Sequence, residues 1–147
     1  MNVYWDTACL VKIYTQESDS ESYLNRLQKS KTPLYSSIIA SAEIAFAFQQ
    51  KEFRGELKKG ASGALYQEFL RDVTEGRVFL LPLGEDVVEE ASRLARLYYQ
   101  STTPILLRTL DGLHLASAHL AGCRELLTTD LRMQQAAALL GLRLTSG

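Results

Sequence analysis

The chain has 147 residues, enough for one domain with a sizeable core, and 46% hydrophobic against 22% charged residues is ordinary for a soluble globular protein. No apolar run approaches the roughly 20 residues of a membrane helix, and no basic start followed by an apolar stretch marks a signal peptide. A net charge of −1 and a pI near 6.1 argue against a protein that coats nucleic acid by charge alone, while leaving room for a local basic groove.

In chain order, Val3, Tyr4 and Trp5 of "NVYW" predict a short strand. "TACLVKIY" starts a helix, with Thr7 as its candidate cap. "SDSESYLNRLQKS" is a polar amphipathic helix, acidic at its start and basic at its end as the helix dipole prefers. "TPLYSS" is a strand, and "IIASAEIAFAFQQKEFRG" and "SGALYQEFLRDVTEG" are helices stopped near Gly55 and Gly76. "RVFLLPL" is a strand and "EDVVEEASRLARLYYQS" a helix. "RTLDGLHLASAHLAG" is a helix whose Leu110, Leu113, Ala116, Ala118 and Leu120 suit a core. A strand at Leu126–Thr128, the helix "DLRMQQAAALLG" and a last strand "LRLTS" follow. Strands alternating with helices predict an α/β fold of three layers, a short, mostly parallel central sheet with helices on both faces. Nothing marks a linker or repeat, so residues 1–147 read as one domain. Cys9 and Cys123 lie in apolar contexts without metal-like spacing and read as reduced core residues of a cytosolic protein.

Four acids stand in awkward places. Asp6 and Asp130 each follow a strand, at the sheet edge where α/β folds collect their chemistry. Helix capping explains either one alone. Glu43 is the single charge in "IIASAEIAFAF", on a helical face with Ile39, Ala40, Phe46, Ala47 and Gln50, where a lone carboxylate is costly. Asp111 opens a mostly apolar helix. If the four converge they repel one another, and no Lys or Arg is placed by sequence to neutralise them all. A divalent cation answers that repulsion. Oxygen ligands suit Mg2+ or Mn2+, one ion or two, and two histidines are too few for a zinc site. Such a site handles phosphate esters.

The pieces "VYWDTACLVKIY", "SAEIAFAF", "LDGLHLASAHLAG" and "LLTTDLRMQQAAALLGL" occur in an order and separation that resembles the PIN-domain nucleases, most closely the VapC-type toxins of bacterial and archaeal toxin–antitoxin pairs. The resemblance spans nearly the whole chain. It implies a PIN-like fold, Mg2+- or Mn2+-dependent endoribonuclease activity in the cytoplasm, and Asp6, Glu43, Asp111 and Asp130 as catalytic and metal-holding residues. Thr128 and Thr129 match the hydroxyl run before the last acid, and Thr7 lies close to the family's small hydroxyl position after the first, as groups that orient carboxylates or water. Ala8 stands where the family commonly has Ser or Thr. The resemblance also implies an RNA substrate, a cognate VapB-like antitoxin whose tail places a basic side chain in the acidic pocket, and a homodimer. Lys12, Arg108 and Arg132 are candidate RNA contacts, with Lys51, Arg54, Lys58 and Lys59 a further basic cluster or a solvated helix end. His114 reads as packed or hydrogen-bonded behind the site, and His119 as structural.

Two other readings share the acids. One is a PIN module that binds RNA or a partner without cutting. The other is a Mg2+-dependent phosphatase or phosphotransfer domain. Haloacid-dehalogenase types want a second Asp two residues after the first, where Ala8 stands. Receiver domains want an acid pair that "MNVYWD" lacks.

Overall fold

The computed structural model describes residues 2–145; the end of the strand expected at "LRLTS" lies outside them. Within them, β1 (Val3–Trp5) leads to α1 (Thr7–Tyr14) and α2 (Ser20–Lys29), β2 (Leu34–Ser37) to α3 (Ile39–Phe53) and α4 (Ala61–Thr74), and β3 (Val78–Leu81) to α5 (Glu85–Tyr99) and α6 (Thr109–Leu120). β4 (Glu125–Leu127), α7 (Leu131–Leu139) and β5 (Arg143–Thr145) complete the order. The strands form one sheet in the order β3-β2-β1-β4-β5, and every pairing is parallel. Helical crossovers between all successive strands leave no other choice. β1 sits at the centre, with β2 on one side and β4 on the other.

Strand alternation divides the core in two. Tyr4 and Leu126, paired across β1 and β4, enter one cluster with Leu94, Tyr98, Leu115 and Met133 of α5, α6 and α7. Their neighbours Trp5 and Leu127 enter the other with Leu10, Tyr23, Ile44, Phe48 and Phe69 of α1 to α4. Each such side chain, fully buried, contributes about 1.5–3 kcal/mol. The sheet is thus covered on both faces, as the near-continuous apolar strands require. Gly76 ends α4 as expected: its φ of +79° turns the chain so that Arg77 N donates to Asp72 O at 2.9 Å.

Three local expectations change. Asp6, not Thr7, caps α1, because its carboxylate receives Cys9 N at 3.0 Å. The middle of α6 is enclosed by α5, α7 and the sheet. It therefore buries His114 through Ala118 in a run, while Leu110 and Leu120, at its ends, are exposed. Phe46, on the Glu43 face of α3, is 69% exposed, so that face is a boundary rather than core.

Candidate active site

Parallel topology puts the starts of α1, α3 and α7, each directly after a strand, at the carboxyl ends of the strands, and α6 reaches them through His114. Each start delivers one acid. Asp6 follows β1 directly and its backbone N donates to Leu127 O at 3.0 Å, which pins it to β4. Its carboxylate is buried, with Oδ1 on Cys9 N and Oδ2 on the Thr128 hydroxyl. Burial pushes the Asp6 carboxyl above its ordinary value, and the bonds from Thr128 and Cys9 offset only part of that.

Asp130 caps α7, its Oδ1 accepting from Arg132 N at 2.8 Å and Met133 N at 3.2 Å. Its own N donates to Thr128 Oγ1 at 3.1 Å. One hydroxyl therefore ties the two strand-end acids together. Both are helix caps and candidate ligands at once; the two readings do not compete. Thr129 is exposed and makes no side-chain hydrogen bond among the described residues, so the supporting role in that hydroxyl pair falls to Thr128.

Glu43 lies half-buried in the second turn of α3. Its Oε1 accepts from Thr7 Oγ1 at 2.7 Å and lies 2.6 Å from His114 Nε2. Burial pushes this carboxyl up, but the His114 and Thr7 interactions outweigh it and hold it below the ordinary glutamate value. Its Oε2 has no protein partner among the described residues. Asp111, the third residue of α6, is the least restrained: its one hydrogen bond is a long contact from Arg108 N, 3.4 Å. It sits one turn before His114, and through that helix alone it joins the other three.

The charge pattern sets these acids apart. Glu125, at the opposite end of β4, is also buried, but Arg26 lies 2.5 Å and Arg143 3.5 Å from its carboxylate. No Lys or Arg pairs with Asp6, Glu43, Asp111 or Asp130 among the described residues. Acids with no basic partner, offering oxygen alone, are the donor type that suits a hard divalent cation. They do not form a closed cage: among the described residues no three His, Cys, Asp or Glu side chains stand at metal-ligand spacing. Asp6 and Asp130 are held back by their helix-cap bonds, and Mg2+ keeps several waters and needs only one or two direct carboxylates.

The expected basic residues divide. Lys12 is committed elsewhere, to Asp19 at 2.8 Å and Glu17 at 3.2 Å, over the Tyr23 ring; acids five and seven residues on claim it. Lys51 pairs with Glu17 and Glu56, and Arg54 with Glu56. Arg108 and Arg132 are exposed beside Asp111 and Asp130, and Arg132 Nη1 donates to Leu106 O at 3.2 Å. Tyr4, whose hydroxyl lies 2.6 Å from His114 Nδ1, carried no sign of a site role in the sequence beyond its place two residues before Asp6.

Comparison with known proteins gives the same outline. The PIN domain family model matches residues 3–139. Ribonuclease VapC46 of Mycobacterium tuberculosis is 32% identical over 143 residues, 95% of this chain and 93% of the relative. Among solved structures, VapBC2 from Rickettsia felis bound to a promoter DNA fragment matches with a TM-score of 0.72 at 18% identity, over 99% of this chain and 98% of the other. VapBC-1 from nontypeable Haemophilus influenzae matches with a TM-score of 0.65 at 14% identity, over 99% and 98%.

Proposed function

The chain belongs to the PIN domain family, and from that premise we propose that it is a divalent-metal-dependent endoribonuclease, the cytoplasmic toxin of a VapBC-type pair, acting as one domain. The observation that supports this reading is that Asp6 and Asp130 share the Thr128 hydroxyl, Glu43 and Asp111 are linked through His114, and none of the four has a basic partner among the described residues. These four are the proposed catalytic residues and the ones that would hold Mg2+ or Mn2+. A bound ion of that kind lowers the pKa of a water and steadies the leaving oxygen of a phosphodiester.

The chain's own groups do the rest. Glu43 Oε2 and Asp130 Oδ2, without protein partners among the described residues, accept from water or take the cation. Thr128 fixes Asp6 and Asp130 in register, and Thr7 holds Glu43. Arg108 and Arg132 flank the acids and meet RNA phosphates. A weak basic surface suits a substrate chosen by shape and unpaired bases. A VapB-like antitoxin would silence the site with a basic side chain, which answers the same uncompensated charge. The exposed rings of Phe46 and Phe53 on α3 supply apolar area for that antitoxin or for a homodimer.

The test is cleavage. Purified protein free of antitoxin meets a pool of structured RNAs with Mg2+ or Mn2+, beside a chelator control and a folded Asp6→Asn variant. Discrete cuts that need the metal and vanish in the variant are the expected result. RNA binding that ignores the chelator, without cuts, would replace this reading by a binding module, the alternative favoured by the open spacing of the acids.

A further inference from the structure

Two buried side chains that the proposed chemistry leaves unused, Tyr4 and His114, lie on one hydrogen-bonded line that ends at Glu43. Tyr4 Oη is 2.6 Å from His114 Nδ1, and His114 Nε2 is 2.6 Å from Glu43 Oε1. The two rings meet edge to face, centroids 5.8 Å apart at 72°. Thr7 Oγ1 donates to the same carboxylate oxygen at 2.7 Å. Tyr4 is 0% and His114 3% exposed. The line crosses three elements, β1, α6 and α3, so it fixes the walls of the site against each other as well as the side chains.

Proton directions along this line are set by the groups at its ends. A carboxylate only accepts, so His114 Nε2 must carry a proton toward Glu43. A phenol, with an ordinary pKa of about 10, keeps its proton at neutral pH and can donate it to Nδ1. Were the ring doubly protonated, the phenol oxygen would accept from Nδ1, and the Nε2 proton would still face Glu43. In either state Oε1 has two donors and Oε2 has none.

We infer that His114 is a positioning residue, held from behind by Tyr4, that locks the Glu43 carboxylate so that Oε2 is the one oxygen left for a cation or the attacking water. This rests on the ribonuclease reading for its consequence, not for its geometry. Outer partners of this kind, when lost, typically cost 10–100-fold in metal affinity or activity. The expected loss on removing the Nε2 donor is therefore about 10–100-fold in kcat, with KM for RNA unchanged.

Three variants and three readouts test it. His114→Leu removes the donor, His114→Gln returns an amide N–H near the Nε2 position, and Tyr4→Phe removes only the hydroxyl. Their folds are compared by circular dichroism. In metal-free wild type, long-range nitrogen–proton spectra of the ring should show the proton on Nε2, and Tyr4→Phe, in which the Glu43 carboxylate still accepts it, should keep it there. Mn2+ affinity and kcat should fall in His114→Leu and recover for the most part in His114→Gln. A ring protonated at Nδ1 with bare Nε2, a folded His114→Leu equal to wild type in Mn2+ affinity and kcat, or a His114→Gln no better than His114→Leu would each overturn the inference. Should wild type cut no RNA, only the ribonuclease reading falls; the ring spectra and Mn2+ titration then decide the positioning role alone.

Discussion

Replacing Thr128 by valine removes one hydroxyl and almost no volume, so the loss is one of hydrogen bonding alone. That hydroxyl is 1% exposed with its residue, donates to Asp6 Oδ2 and accepts from Asp130 N at 3.1 Å. A hydrogen bond to a charged group contributes about 1.5–3 kcal/mol. The abandoned Asp130 N–H lies nearer solvent, where water partly replaces the lost acceptor, so its share is at the low end of about 1–3 kcal/mol. Together the loss is about 2.5–4 kcal/mol, or about 8–13 °C in Tm for a chain of this size. The effect also carries a pH signature. Burial already raises the folded Asp6 carboxyl above 3.8, so stability from this group falls as pH rises from the unfolded value through the folded one. Thr128 favours the charged form, and without it the folded pKa climbs further. The gap between wild type and variant must therefore be wider at pH 7.5 than at pH 4. Urea unfolding followed by circular dichroism in chelator measures both. A gap under about 0.5 kcal/mol at pH 7.5, the range of an ordinary surface substitution, or a gap that widens at pH 4, would refute the reasoning.

Arg132→Ala should raise KM for RNA with little change in kcat, whereas Lys12→Met should leave KM alone and lower stability by about 1 kcal/mol or less, since its ion pairs are partly exposed; cleavage kinetics beside urea melts separate the two. In alkali, Tyr23 and Tyr98 are pushed up to about 12 by burial, and Tyr4 and Tyr14 higher still. A raised phenol pKa stabilises the fold below its ordinary value of about 10 and loses that contribution as pH rises. Four of the seven tyrosines should thus each show about a tenth or less of their phenolate absorbance at pH 11 until circular dichroism is lost. Cys9 and Cys123 are both buried and free, and burial pushes the Cys123 thiol up to about 11; a thiol reagent should find neither in folded protein and both in urea.

Strands and helices were legible because each level agreed. Alternating strand and helix patterns allowed only a parallel sheet, and Gly55 and Gly76 marked helix ends. Three of the four acids announced themselves as charges at strand or helix ends, and Glu43 as the lone charge in an apolar helix. What sequence concealed is long-range partnership. Tyr4 and His114 are 110 positions apart, and nothing local pairs them. Whether Thr128 or Thr129 faces Asp6 depends on how β4 leaves the sheet after Leu127. Leu110 and Leu120 fit an apolar stripe that tertiary packing does not use, because neighbours enclose only the middle of α6. The fate of Lys12 was closer to hand, in Glu17 and Asp19 on the following turn and loop.

That Asp6, Glu43, Asp111 and Asp130 hold a divalent-cation site is tested most directly by calorimetric titration of Mn2+ into metal-free protein, wild type beside the folded single variants Asp6→Asn, Glu43→Gln, Asp111→Asn and Asp130→Asn. Saturable binding in wild type, weakened about tenfold or more in every variant, is the predicted result. Binding that all four variants keep at wild-type strength, or no saturable binding at all, would contradict it.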